Sequence, residues 1–297
     1  MASGLAIFRL RPEAGTAFPP YRAGQYIALT RENCKLTVRV KDHDGVVHYA
    51  PLRNTDGSGK LGPVTHSYSI ASAPFETKDG GELEVYITLE RFSDGQMGRF
   101  TESLFRARPH VGDTLGYVER IVGNFTLDDR AKGAEQVVMV GTGTGLAPFV
   151  GMVKQVAHEA KAGRGSATRY TLIHANRTVG ELGYDDQLRR LRAERVPGFD
   201  FEYVRSVSRP TAKDANDPSL CQGRANNLLR FILGQPMREA EVVATRPRLG
   251  SGVDGSALKA RMPQSRTTVL TCGNREGMED IKRICASAGF RYEMEEW

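Results

Sequence analysis

Tryptophan occurs once in 297 residues, at position 297, and cysteine only four times. Cys34, Cys221, Cys272 and Cys285 stand singly, without a Cys-x-x-Cys pair. That spacing excludes the usual zinc site, a clustered iron–sulfur centre and a disulfide framework. No window approaches the roughly 18 uninterrupted apolar residues of a membrane span. The opening MASGLAIFRLRPEAG is charged by residue nine and lacks the apolar run of a secretory leader. There is no internal repeat and no dense basic stripe interleaved with aromatics, which argues against a nucleic-acid role. A soluble, cytoplasmic chain with no metal and no membrane partner is therefore expected.

What is present is ordinary for a globular protein: 40% hydrophobic and 26% charged residues. At roughly 150 residues per domain the length suggests about two domains. The net charge of +6 is unevenly placed, because residues 1–128 hold 15 charges of each sign. The excess in the second half is either surface variation or the mark of a phosphate-bearing ligand or acidic partner.

Two rhythms divide the chain. In the first part, short runs alternate apolar and polar residues, as in Tyr26–Leu29, Leu36–Val40 and Leu83–Leu89. Period-two alternation indicates half-buried antiparallel strands, and several of them in so short a span suggest a small barrel. One helix is expected over Arg99–Phe105, a turn at His110–Asp113 and a loop over 53–63. Beyond the acidic and glycine-bearing segment 128–133, apolar runs alternate with amphipathic stretches. Strands are expected at Gln136–Val140, Tyr170–Ala175, Phe199–Val204 and Thr267–Cys272. Helices are expected at 147–162, 185–194, 225–233 and 276–288. That alternation predicts a parallel sheet with crossover helices, and 235–265 remains an unplaced excursion.

The second half carries a glycine-rich turn, Gly141-Thr142-Gly143-Thr144-Gly145-Leu146-Ala147-Pro148, between a strand and a helix. Such a turn either serves local geometry or lets backbone N–H groups and the helix dipole meet an anion. A dinucleotide fold that holds a ribose 2′-hydroxyl usually ends its second strand in Asp or Glu. Here the strand ends in Asn176-Arg177, which suits a 2′-phosphate instead. Arg209 and Arg224 fall near corresponding chain positions. Taken singly, each reads more readily as a solvated surface arginine; together they suggest a 2′-phosphate clamp that selects NADP(H).

AGQY at 23–26, SYSIAS at 67–72, GTGTGLAPF at 141–149, LIHANR at 172–177, VSR at 207–209 and TCGNREGM at 271–278 occur in one order across nearly the whole chain. In that order they resemble the ferredoxin–NADP reductase family, most closely the bacterial flavodoxin/ferredoxin–NADP reductases, whose chains also end in tryptophan. The resemblance implies a β plus α/β architecture. An antiparallel, six-stranded-type FAD-binding barrel over 1–130 would precede a parallel-sheet NADP(H)-binding α/β domain over 131–297. By resemblance, Tyr68 stacks on the isoalloxazine and Ser69 approaches its N5; with Cys272 they form the catalytic set. The same resemblance assigns His66, Ser67, Gln96, Met97, Gly98, Arg99, Thr144 and Trp297 to FAD. To NADP it assigns Gly143, Asn176, Arg177, Ser208, Arg209, Arg224, Cys272, Gly273, Asn274 and Met278.

Three positions depart from the family pattern. His66 replaces the arginine that neutralises the flavin diphosphate, so either a protonated His66 or Arg99 supplies that charge. Gly98 replaces a serine. Glu296 also stands where an aromatic is more usual before the terminal tryptophan, and Glu293, Glu295 and Glu296 read as a solvated acidic tail.

The implied activity is electron exchange between NADP(H) and a one-electron carrier, an acidic ferredoxin or flavodoxin, by hydride transfer at flavin N5. The alternatives are a reductase component serving a dedicated oxygenase or other redox partner, and a non-catalytic nucleotide-binding sensor. The lone cysteines mean that no fused iron–sulfur domain is at hand, so the carrier is a separate molecule.

Overall fold

The computed structural model describes residues 4–92, 95–106, 113–237 and 246–295. In its first part lie strands β1 (Leu5–Leu10), β2 (Tyr26–Lys35), β3 (Thr37–Lys41), β4 (Val47–Pro51), β5 (Leu61–Ser69), β6 (Leu83–Thr88) and β7 (Gly116–Tyr117), with helix α1 (Arg99–Arg106). β1 pairs with β6, β2 lies between β5 and β7, and β3 and β4 form a hairpin, all antiparallel. A bridge between Ile70 and Val85 joins the end of β5 to β6. The alternation that marked these strands turns Ile27, Leu29, Val85 and Ile87 inward, onto a core that α1 closes with Phe100 and Leu104.

The second part begins after α2 (Leu127–Arg130), whose N-cap is Thr126. It runs β8 (Gln136–Thr142), α3 (Ala147–Lys161), β9 (Arg169–Asn176), α4 (Asp185–Ala193), β10 (Asp200–Val207), α5 (Ala212–Ala215), β11 (Cys221–Gln222), α6 (Ala225–Leu233), α7 (Gly255–Ala260), β12 (Thr267–Cys272), α8 (Arg275–Ala288) and β13 (Arg291–Met294). The six strands are parallel in the order β11-β10-β9-β8-β12-β13. Both faces of β8 are buried, which accounts for its unbroken apolar run. Val137 and Met139 share one core with Phe149 and Met152 of α3, while Val138 and Val140 share the other with α6, α7 and α8.

The first of these cores continues into the antiparallel part through Ala71, Tyr86 and Phe125. Lys154 of α3 is buried there, with Nζ 2.5 Å from Glu76 Oε2. A charge withdrawn from water to that degree needs such a partner.

Three expectations are corrected. The loop expected over 53–63 yields to β5 from Leu61, because Leu61 and Gly62 pair with Lys35 and Cys34. The excursion at 235–265 contains α7, started by Asp254, whose carboxylate accepts from the N–H groups of Ser256 and Ala257. The acidic tail is not a solvated end. Glu293 lies in β13 and accepts from Arg130 at 2.9 Å, and Glu295 is buried. Glu296 and Trp297 lie outside the described residues, as does the expected turn at 110–113 apart from Asp113.

His174, in the middle of β9, is fully buried. Tyr203 donates its hydroxyl to Asp185 (3.0 Å), so His174 Nδ1, 3.0 Å from the Tyr203 oxygen, carries the proton and Nε2 does not. Nε2 has no partner among the described residues. Burial pushes the imidazole down to about 3 from its ordinary 6.5. Below pH 6.5 the unfolded chain binds a proton that the folded one refuses, so stability declines as pH falls through 6.5 toward 3. The expected slope from this group is about 1.4 kcal/mol per pH unit. Urea unfolding at a series of pH values should show His174→Asn losing that increment of slope relative to the wild type.

Candidate functional site

In an open parallel sheet the strand order reverses at one place, and ligands bind outside the carboxyl ends there. Here the reversal falls between β8 and β12. A cavity of about 620 Å³ opens at that point and extends to the end of β5.

Its floor is the glycine-rich turn. Gly145 packs so closely on the end of β12 that a Cβ there would lie 2.4 Å from the carbonyl carbon and oxygen of Cys272. Gly273, at φ 130°, faces Thr142 equally closely, and the Asn274 N–H donates to Thr142 Oγ1 at 2.9 Å. Asn274 then caps α8 by accepting from the Gly277 N–H (3.0 Å). Two strand ends and two helix starts are thereby fixed against one another. The wall behind is held by Asp280, almost wholly buried, which accepts from Asn226 Nδ2 (2.9 Å) and pairs with Arg230 (2.5 Å), tying α6 to α8.

Twelve of the residues singled out from sequence line this cavity. Tyr68 and Ser69 come from β5, and Gly143 and Thr144 from the turn. Asn176, Arg177, Ser208 and Arg224 come from the far end. Cys272, Gly273, Asn274 and Met278 come from β12 and α8. Burial pushes the Tyr68 phenol well above its ordinary range, so it is a neutral hydroxyl and an apolar ring at working pH.

His66, Ser67, Gln96, Met97, Gly98, Arg99 and Arg209 do not line the cavity. His66 and Ser67 are exposed on β5, with the His66 ring 5.8 Å from Phe100. Gln96 accepts from the Phe92 N–H, and Arg99 opens α1. Gly98 has a physical reason to differ from serine: any Cβ there would meet the Glu90 side chain at 2.3–2.9 Å. Arg209 touches the site through its backbone N–H, which donates to the Arg177 carbonyl at 2.8 Å.

Tyr86 and Glu181 also line the cavity and are not singled out by sequence reasoning. The Tyr86 hydroxyl donates to the Glu181 carbonyl (2.8 Å), and Glu181 pairs with Arg177. The four-residue spacing of Arg177 and Glu181 was a readable signal of that pair. Nothing in LEVYIT marks Tyr86.

An organic ring fits this cavity by the chemistry of its donors. Ser69 Oγ is buried with no partner among the described residues, beside the Tyr68 ring. A buried hydroxyl without a bond is costly and suits a ligand heteroatom. No group of three or more His, Cys, Asp or Glu among the described residues could hold a metal. Among the same residues, no helix is long and apolar enough to cross a membrane.

Residues 139–228 match the family described as Oxidoreductase NAD-binding domain. No curated protein matches the chain. Among solved structures, the chain is similar to the cytochrome b5 reductase domain of Ulva prolifera nitrate reductase (TM-score 0.61, 15% identity, 99% of this chain and 93% of that one). It is also similar to ferredoxin–NADP+ reductase from Plasmodium falciparum with 2′P-AMP (0.58, 15%, 98% and 88%). A third is the Amycolatopsis cytochrome P450 reductase GcoB (0.60, 19%, 99% and 66%). The chain shares the two-part fold of these reductase structures.

Proposed function

We propose that this chain is an FAD-dependent oxidoreductase that exchanges electrons between NADP(H) and a one-electron carrier, a ferredoxin or flavodoxin. Residues 1–130 form the FAD-binding domain and residues 131–297 the NADP(H)-binding domain. One observation carries the reading: Tyr68 and Ser69 of one part share a cavity with Thr144 and Cys272 of the other, and Arg177 and Arg224 line it too. That layout suits two stacked rings near the domain junction and a nucleotide phosphate at a distance.

When bound, the flavin supplies hydride acceptance from a nicotinamide and single-electron release. The protein's task is to hold the rings in reach of one another and keep water out. Tyr68 offers an apolar face to a ring system, and Ser69 offers its unengaged hydroxyl to a ring nitrogen. Cys272 and Met278 supply an apolar wall. The backbone of Gly143, in the turn that leads into α3, suits a nucleotide phosphate, and Thr144 serves the flavin. The FAD diphosphate charge falls to His66 or Arg99, with Gln96, Met97 and Gly98 supplying backbone contacts beside Ser67. Arg177, Arg209 and Ser208 hold the 2′-phosphate with Arg224, while Asn176, Gly273 and Asn274 shape the rest of the nucleotide site.

A second reading has its own support. Similarity covers 99% of the chain for both a cytochrome b5 reductase domain and a cytochrome P450 reductase, so a haem-protein partner is the runner-up carrier.

The purified protein should be yellow, and NADPH should bleach it anaerobically faster than NADH. Addition of oxidised ferredoxin, flavodoxin or a b5-type haem protein then identifies the carrier by which one restores the colour. A colourless protein that takes up no FAD would end the flavoenzyme reading. Equal bleaching by both nucleotides would end the NADP(H) assignment alone.

A further inference from the structure

Arg177 is expected to grip a 2′-phosphate, yet its guanidinium is already engaged. Nε donates to Glu181 Oε2 at 3.0 Å, and Nη2 lies 2.8 Å from Oε1. The backbone N–H of Arg177 also donates to Oε2, at 3.2 Å. This is a two-pronged pair, the strong form of arginine–carboxylate contact.

The two partners differ in freedom. The Glu181 side chain is 9% exposed, against 61% for Arg177. Glu181 closes the turn Val179–Glu181, and its N–H donates to the Thr178 carbonyl. Its carbonyl accepts from Asn176 Nδ2 (2.6 Å) and from the Tyr86 hydroxyl (2.8 Å), while the Gly183 N–H donates back to the Tyr86 oxygen (3.1 Å). Tyr86 belongs to β6, in the antiparallel part, so the acid is anchored from both parts of the protein. The arginine is the member that can swing. Its Nη1 makes no hydrogen bond among the described residues.

We propose that Glu181 is a specificity-determining residue, a fixed internal anion that competes with the nucleotide 2′-phosphate for Arg177. The proposal rests on the nucleotide-site reading above. A ribose 2′-hydroxyl leaves the Arg177–Glu181 pair intact. A 2′-phosphate has to share the guanidinium with a carboxylate of like charge or draw it away, and either route costs affinity. The remaining cation of the cavity at this end, Arg224, has no such counter-charge among the described residues. Glu181 therefore weakens a preference that Arg177 and Arg224 together would otherwise make strong, and Tyr86 keeps it from retreating.

Calorimetric titration of the purified holoprotein with adenosine 2′,5′-bisphosphate and with 5′-AMP tests this without recourse to turnover. Glu181→Gln retains the shape and the backbone anchors. It should tighten the bisphosphate about tenfold, the scale of one like-charge contact near a protein surface, and leave 5′-AMP within about twofold. Glu181→Asp, which keeps the charge, should stay near the wild-type ratio of the two affinities. In an Arg177→Ala background the tightening should vanish, because nothing is left to compete for. Unchanged or weaker bisphosphate binding in Glu181→Gln would overturn the proposal, as would tightening that persists without Arg177. Failure of the wild type to bind either nucleotide would remove the nucleotide site itself, and the proposal with it.

Discussion

Alanine at position 145 should cost the protein stability and, on the proposed function, most of its NADPH binding. The added methyl would lie 2.4 Å from the Cys272 carbonyl group and 2.5 Å from the Gly273 nitrogen. All of these are backbone atoms at the end of a central strand, so no side chain can turn aside. The turn has to lift off β12, which breaks the register that sets Thr144, Cys272 and Asn274 around one cavity. Overpacking of this kind costs about 1–3 kcal/mol. Displacement of the binding turn should weaken NADPH by about a hundredfold, in line with the penalty for misplacing a positioned group by an ångström. Urea unfolding and NADPH titration of the holoprotein measure the two effects. A Gly145→Ala protein that matches the wild type in both would show that the close approach is dispensable.

Asp280→Ala carries the largest expected loss of stability, about 3–5 kcal/mol. Asp280 is 1% exposed, and Arg230 is mostly buried against it. Removing the acid strands the Arg230 guanidinium between α6 and α8. The midpoint of urea unfolding should fall accordingly. A double change, Asp280→Leu with Arg230→Met, should recover much of the loss, since neither charge is then left alone. If Asp280→Ala costs under about 1 kcal/mol, water reaches this pair and its burial is not the determinant.

The parallel half was the more readable because its signals are long. The apolar run of β8, the helix over Ala225–Leu233 and the strand Thr267–Cys272 lie where periodicity puts them, buried on faces the pattern predicts. What escaped has weak local signals. β13 is four residues, Arg-Tyr-Glu-Met, with no apolar run, and it becomes a strand by docking on β12. β1 is held by pairing with β6, more than 70 residues away. α7 had a usable cue in Asp254, hidden inside a segment of irregular composition.

At the site, motif residues drawn from several distant elements meet in one cavity, but side-chain partnerships across the fold were not legible. Asp280 looks like any helical acid until Arg230 and Asn226 arrive from 50 and 54 residues away. Gly98 looked like a lost serine, and Glu90 supplies the reason it must be bare.

The core shared by the two parts has a consequence for how such a protein diversifies. Tyr86 and Phe125 sit in the same apolar cluster as Phe149 and Met152, and Lys154 reaches back to Glu76. A gene fusion that exchanged everything beyond residue 130 for a relative's sequence would cut through that cluster and take Lys154 away from Glu76. It would also separate Tyr86 from the turn it holds. Exchange of sequence at residue 130 is therefore a poor route to altered ligand preference. Point changes around Arg177 and Glu181 are the accessible one, because they alter the ligand end of the cavity while leaving the joint intact.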